Sequence, residues 1–408
     1  MRFHLECNQL KTTEVLISGS KSISNRLLIL KSLYENISIL NISSSDDTKF
    51  LENALQSIDR NEINIGHAGT AMRFLTALLS YKTTKNIKLF GSNRMHKRPI
   101  GILVNSLNEL GASIEFIKNS NFPPLLIKPA TMVGKKIRVR SGISSQFISS
   151  LLLIGPKLKG GIEIELDDIK TSFPYIEMTI NLLKKIGVDV DQKDRIIRVN
   201  EHNKIVPIEI LVESDWSSAS YFYSIVSMAD IGFSLTLKNF IKKSIQGDSL
   251  VSRIYESFGV STLFSENKII IKKVNKPNSF IKLNLSANPD LAQTICVSCL
   301  AQKIDCKLTG LHTLKIKETD RIIALVNEIK KFGLKPNYSN DSISFRAVPN
   351  KLKSGVEINT YQDHRMAMAF ACLAVKTDII IKNPTVVTKS YRDFWSDLKK
   401  IGIHFKKS

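Results

Sequence analysis

Cysteine is scarce, with five residues in 408. They are too few and too scattered for a disulfide scaffold, so reduced thiols are expected. Long apolar runs are missing as well. The longest, Met366 to Val375, falls far short of the ~20 residues of a membrane helix. The N-terminal stretch MRFHLECNQLKTTEV mixes charge with apolar residues and does not read as a secretory signal, so a cytoplasmic protein is expected. Aromatic residues make up only 7%. Lysine is spread along the chain and forms no single stripe, which argues against a nucleic-acid partner despite a formal charge of +21. That charge still calls for an anionic partner of some kind. Arginine is the rare cation, with 15 residues against 43 lysines, so its placement is the more informative.

What is present is a core and a repeat. Hydrophobic residues make up 43%, enough for two or three domains. An amphipathic stretch ending in Gly and followed at once by an apolar, strand-like stretch recurs five times. The joints are Gly111, Gly187, Gly259, Gly333 and Gly402, spaced 76, 72, 74 and 69 residues apart. Apolar residues at i, i+3, i+4 and i+7 give each helix one buried face, and a C′ glycine accepts the left-handed conformation that ends it. A weaker sixth copy, DDTKFLENALQSIDRNEINI, lacks the glycine. Six such units suggest internal duplication, with three units per domain. Several helix–Gly–strand joints in an ordinary α/β protein are the alternative. Domain seams are expected near Ser18–Gly19 and Glu213–Ser214, giving one domain from 1–18 with 214–408 and an inserted one from 19–213.

Helix starts carry the polar signals. Gly19-Ser20-Lys21-Ser22-Ile23-Ser24-Asn25-Arg26 precedes an apolar helix and offers free N–H groups and cations to an anion. It is not a P-loop, because the spacing of glycines fails. Gly66-His67-Ala68-Gly69-Thr70-Ala71-Met72-Arg73 and Ser144-Ser145-Gln146-Phe147 open two further apolar helices. Arg94-Met95-His96-Lys97-Arg98-Pro99 gathers cations where Pro99 suits a first helical turn. Thr171-Ser172-Phe173-Pro174-Tyr175 supplies neutral donors, and Asp290 in Asn288-Pro289-Asp290 is a cap or a buried base. Glu318 lies between Lys317 and Arg321, which would tune its proton affinity. Arg365, in Tyr361-Gln362-Asp363-His364-Arg365, needs a partner such as Asp363 or a ligand carboxylate. Lys389 opens the last helix. Taken singly, most of these segments read equally well as caps, ion pairs or solvated turns. Taken together, five of the scarce arginines (Arg26, Arg73, Arg98, Arg321 and Arg365) fall in them, which suggests helix N-termini converging on a cleft between domains. Cys296-Val297-Ser298-Cys299 has no second pair at zinc spacing and is read as core thiols.

The segments GSKSISNR, AGTAMRFL, HKRPIG, SSQFISSLL, SASYF, KIKETDRI, QDHRMAMAF and TKSYRDFW resemble, in order, the signature segments of the 5-enolpyruvylshikimate-3-phosphate synthase family. The resemblance implies an α/β fold, the enolpyruvyl transferase fold or inside-out α/β barrel, with two similar domains each of three βαβαββ repeats. It implies transfer of the enolpyruvyl group of phosphoenolpyruvate to the 5-hydroxyl of shikimate 3-phosphate, with no metal or organic cofactor. By motif position, Lys21, Ser22, Arg26, Ser144, Ser145, Gln146, Ser172, Asp290 and Lys317, with Tyr175 nearby, would hold shikimate 3-phosphate. Lys21, Gly69, Arg98, Gln146, Arg321, Arg365 and Lys389 would hold phosphoenolpyruvate, and Asp290, Glu318 and Lys21 would carry proton transfer. The partners are then small molecules, and a monomer is expected. His67, Phe74 and Thr313 depart from the family pattern of Asn, Pro and Asn. The sister family acting on UDP-N-acetylglucosamine usually carries a cysteine before its Arg-Pro, and the loop GSNRMHKRPIG has none.

Overall fold

The computed structural model describes residues 1–139, 144–167, 171–347 and 351–408. The chain divides into two compact units. The terminal unit is Met1–Ser18 with Glu213–Ser408, and the central unit is Gly19–Val212. Glu213, expected with the inserted segment, belongs to the terminal unit, where its carboxylate accepts a hydrogen bond from Ser244 at 2.7 Å.

The terminal unit contains three four-stranded sheets built to one plan. In each, two parallel strands are followed by an antiparallel pair. Glu14–Leu16 runs parallel to Ser234–Lys238, and Lys268–Lys273 and Val260–Ser265 complete that sheet. Phe280–Asn284 and Asp305–Thr309 are parallel, followed by Ile343–Phe345 and Asn337–Tyr338. Val356–Ile358 and Ile379–Lys382 are parallel, followed by Arg2–Cys7 and Ile403–Lys407. Parallel neighbours need a crossover connection whereas antiparallel ones can be joined by a hairpin, which gives the βαβαββ order.

Among the described residues the central unit has two sheets of this kind and a third of two strands, Ile37–Leu40 and Ile208–Leu211, paired in parallel. This reduced sheet belongs to the sixth copy. Its helix, Asp46–Gln56, ends at Ser57 and leads directly to a strand of the next sheet, without a hairpin of its own. No left-handed joint is therefore needed. At the five full copies it is, and Gly111, Gly187, Gly259, Gly333 and Gly402 all have positive φ, from 74° to 100°.

Each unit places its most apolar helices innermost. In the terminal unit every residue of Trp216–Met228 except Ser217 is buried, as is every residue of Ala292–Gln302 except Gln302. A helix apolar on all faces belongs inside. Its small hydroxyls are satisfied locally, as where Ser298 meets the Thr294 carbonyl at 2.9 Å and the Ser224 hydroxyl at 2.8 Å. Cys296, Cys299 and Cys306 are free and buried in this core, and burial with the adjacent Cys306 pushes the Cys299 thiol up. Among the described residues no group of three or more His, Cys, Asp or Glu is arranged to hold a metal ion, and no helix is long and apolar enough to cross a membrane.

Candidate active site

In the terminal unit, one ion network draws on segments far apart in sequence. Asp290 lies in the short turn Pro289–Leu291 that leads into Ala292–Gln302. It accepts from Arg321 Nη1 at 2.9 Å and Arg365 Nη2 at 2.8 Å, with Lys317 Nζ at 3.8 Å. Arg321 also donates to Glu318 at 2.9 Å and to Asp363 at 2.7 and 3.3 Å. Lys389 donates to the other oxygen of Glu318 at 2.7 Å. Burial favours the neutral acid at Asp290, but Arg365, Lys317 and Arg321 outweigh it and hold the carboxyl well below the usual range. Arg321 pairs with Glu318, Lys317 faces Asp290, and Lys389 brings a further cation to Glu318 from far along the chain.

Asp363 was legible only as a possible partner of Arg365. It contacts Arg365 through the backbone N–H, at 2.9 Å, as the N-cap of the inner helix His364–Ala371. Its charge is matched by the side chain of Arg321. The preceding turn places two successive non-glycine residues, Tyr361 and Gln362, at φ 53° and 56°. Such backbone persists where surrounding contacts over-determine it. Here the Tyr361 hydroxyl donates to the buried Glu328 at 2.6 Å and Asp363 N–H donates to Thr360 O at 2.8 Å. Sequence reasoning also missed Asp248. It is buried and accepts from Asn288 Nδ2 at 3.1 Å and from the Ser217 hydroxyl, so it anchors the turn that carries Asp290. Burial, then the Asp290 charge, pushes the Asp248 carboxyl up.

In the central unit the three inner helices, Lys21–Leu33, Gly69–Lys82 and Ser145–Ile154, pack against one another. Gln146 Nε2 donates to Thr70 Oγ1 at 3.2 Å. Lys21 faces Asp47 at 3.4 Å, and His67 approaches the same carboxylate at 4.0 Å. Asp47 was not singled out in sequence, although Ser45 caps its helix. Ser144 also acts as a cap, accepting from Gln146 N–H at 3.3 Å. Ser172 caps nothing with its side chain and sits in the left-handed region at φ 52°.

The guanidinium of Arg98 lies against Gly69. A Cβ there would be 2.3 Å from Arg98 Nη1, so only glycine leaves this arginine in place. Pro99 does not open its helix, which starts at Gly101. Instead, Arg73 holds the loop to the inner helix by donating to Pro99 O at 2.8 Å and Gly69 O at 3.2 Å. Arg73 is therefore a brace between the loop that carries Arg98 and the helix Gly69–Lys82. Arg26 is held by several segments of the central unit. It is 2% exposed and donates to Thr179 Oγ1, Ser149 Oγ, Tyr175 O and Ser22 O. Burial pulls it down to about 10, which leaves it charged at neutral pH.

A profile of EPSP synthase (3-phosphoshikimate 1-carboxyvinyltransferase) matches residues 56–398. The chain belongs to the EPSP synthase family. A relative from Bacteroides fragilis (strain YCH46) named 3-phosphoshikimate 1-carboxyvinyltransferase is 42% identical over 416 residues, spanning 100% of this chain and 99% of the relative. One of the same name from Buchnera aphidicola subsp. Cinara cedri is 37% identical, covering 95% of this chain and 94% of the relative. The solved structure of EPSP synthase from Acinetobacter baumannii matches with a TM-score of 0.81 at 20% identity, over 100% of both chains. That last likeness shows an EPSP synthase fold.

Proposed function

We propose that this chain transfers the enolpyruvyl group of phosphoenolpyruvate to the 5-hydroxyl of shikimate 3-phosphate and releases phosphate, as a 3-phosphoshikimate 1-carboxyvinyltransferase of aromatic amino acid biosynthesis. The observation that carries this reading is the network in which Asp290 and Glu318 share Arg321 while Arg365 and Lys389 each hold one of the two. Guanidinium forks match carboxylate and phosphate oxygens, and phosphoenolpyruvate brings one of each. When its anionic groups engage Arg321, Arg365 and Lys389, Asp290 and Glu318 lose part of their cationic company and their proton affinity rises. Ligand arrival thereby prepares the two carboxyls for proton transfer, one at the attacking hydroxyl and one at the methylene carbon.

In this reading Arg98, Gly69, Gln146, Arg321, Arg365 and Lys389 receive phosphoenolpyruvate. Ser22, Ser144, Ser145, Gln146, Ser172, Asp290 and Lys317 receive shikimate 3-phosphate, and Lys21 touches both. Arg26 serves through the backbone of Ser22, which it holds at 2.8 Å. Thr313 takes the place of the family Asn. Its hydroxyl is buried without a hydrogen-bond partner among the described residues, as suits a group awaiting a substrate oxygen. The enzyme works as a cytoplasmic monomer on small molecules, without nucleic acid.

The test is phosphate release measured with both substrates. Wild-type protein turns over, and Glu318→Gln loses about 10²–10⁴-fold in kcat with its fold retained by circular dichroism. Full turnover in that variant would remove Glu318 from the chemistry, and no turnover by wild type with either substrate pair of the two sister families would remove the reaction.

A further inference from the structure

In the terminal unit the inner helices Ala292–Gln302 and His364–Ala371 begin at residues of the ion network, Asp290 and Asp363. Trp216–Met228, Ala292–Gln302 and the turn Cys372–Val375 that prolongs His364–Ala371 finish around a cavity of ≈ 480 Å³. That volume suits a small metabolite. Lys273, Lys276, Lys303, Lys351 and Lys376 line it, with Asp230 as its acidic residue. Lys273 is the buried member, at 4% exposure, and its ammonium donates to the Phe258 carbonyl at 2.6 Å and the Gln302 side-chain oxygen at 3.4 Å. Both acceptors are neutral, and burial, with Lys376 adding, pulls this lysine down to about 8.

Lysines near helix C-termini often do no more than offset the dipole, which is about −0.5 charge per helix. Three ends then call for roughly 1.5 positive charges. Leaving Lys303 aside, the other four lysines less Asp230 supply about three, so a surplus of about 1.5 remains after the dipoles are met. A wall that keeps a buried ammonium on neutral partners and still carries a surplus is suited to an anion with more than one charge.

We propose that this cavity is a second ligand site, distinct from the ion network, that binds a small metabolite carrying two or more phosphate groups. Neither the family motifs nor the proposed chemistry uses any of its residues. Tripolyphosphate is a suitable probe, titrated calorimetrically into the full-length protein. The wild type binds it at a site that survives Lys389→Ala, which disables the network, and that weakens at least tenfold in the doubly substituted Lys276→Glu/Lys376→Glu. Both lysines are exposed, so the fold should tolerate the change, and retained phosphate-release activity confirms it. As a second readout, tripolyphosphate slows reductive methylation of Lys273, followed by peptide mass spectrometry. If Lys389→Ala abolishes all binding, or the double variant binds as tightly as wild type, or Lys273 is modified at the same rate with and without the probe, the lysines serve only the helix ends and the proposal is overturned.

Discussion

Asp363→Asn is the sharpest perturbation of the ion network. The carboxylate is fully buried, bonds Arg321 through two nitrogens and caps the helix that carries Arg365. The amide keeps the shape and one acceptor oxygen, so the cap survives in part, but the charge is lost. Breaking a buried ion pair from one side costs ~3–5 kcal/mol. Arg321 retains Asp290 and Glu318, which puts the expected loss at the lower end, about 3 kcal/mol. For a unit of roughly 200 residues that is a fall in Tm of about 6–12 °C. Arg321 then leans on its two remaining carboxylates, which the substrate must displace, so KM for phosphoenolpyruvate rises more than KM for shikimate 3-phosphate. Thermal unfolding by circular dichroism and phosphate-release kinetics read both effects. A Tm within about 1 °C of wild type with an unchanged KM for phosphoenolpyruvate would show that Asp363 does not hold the arginine, and the account of the network would fail.

Gly69→Ala should raise KM for phosphoenolpyruvate by tenfold or more while leaving shikimate 3-phosphate binding nearly intact, because the new Cβ would overlap the Arg98 guanidinium; equal effects on both substrates would contradict that geometry. Asp248 gives a pH test. Its carboxyl is raised in the folded state, so its contribution to stability is present below its unfolded value of about 3.9 and is lost as pH rises through the folded value. Asp248→Asn cannot ionise, so its stability relative to wild type should improve as pH rises above about 4, as measured by urea unfolding; a flat or opposite trend refutes the assignment.

The repeat was readable because its cause is local. A glycine that ends a helix and a strand that starts at once need no partner to be recognised, and the sixth copy that lacks the glycine proved to be the one without a hairpin. Helix starts rich in small, hydroxyl and basic residues were readable for the same reason, since an N-terminus exposes its N–H groups whatever surrounds it. Arg26 and Arg73 show the limit of such reading. Both sit one turn into an inner helix, where their carbonyl partners, such as Tyr175 O and Pro99 O, come from distant segments.

The amino-acid sequence alone determined the six-fold periodicity, the apolar inner helices and the chemical types clustered at their starts, because periodicity and capping act over a few residues. Tertiary structure alone decided which charges meet. Lys389 reaches Glu318 across 71 positions, Asp290 takes Arg365 across 75, and Asp47 and Asp248 enter as unannounced partners. Coulomb attraction and burial depend on separation in space, and separation along the chain says nothing of that until the sheets have closed around the helices.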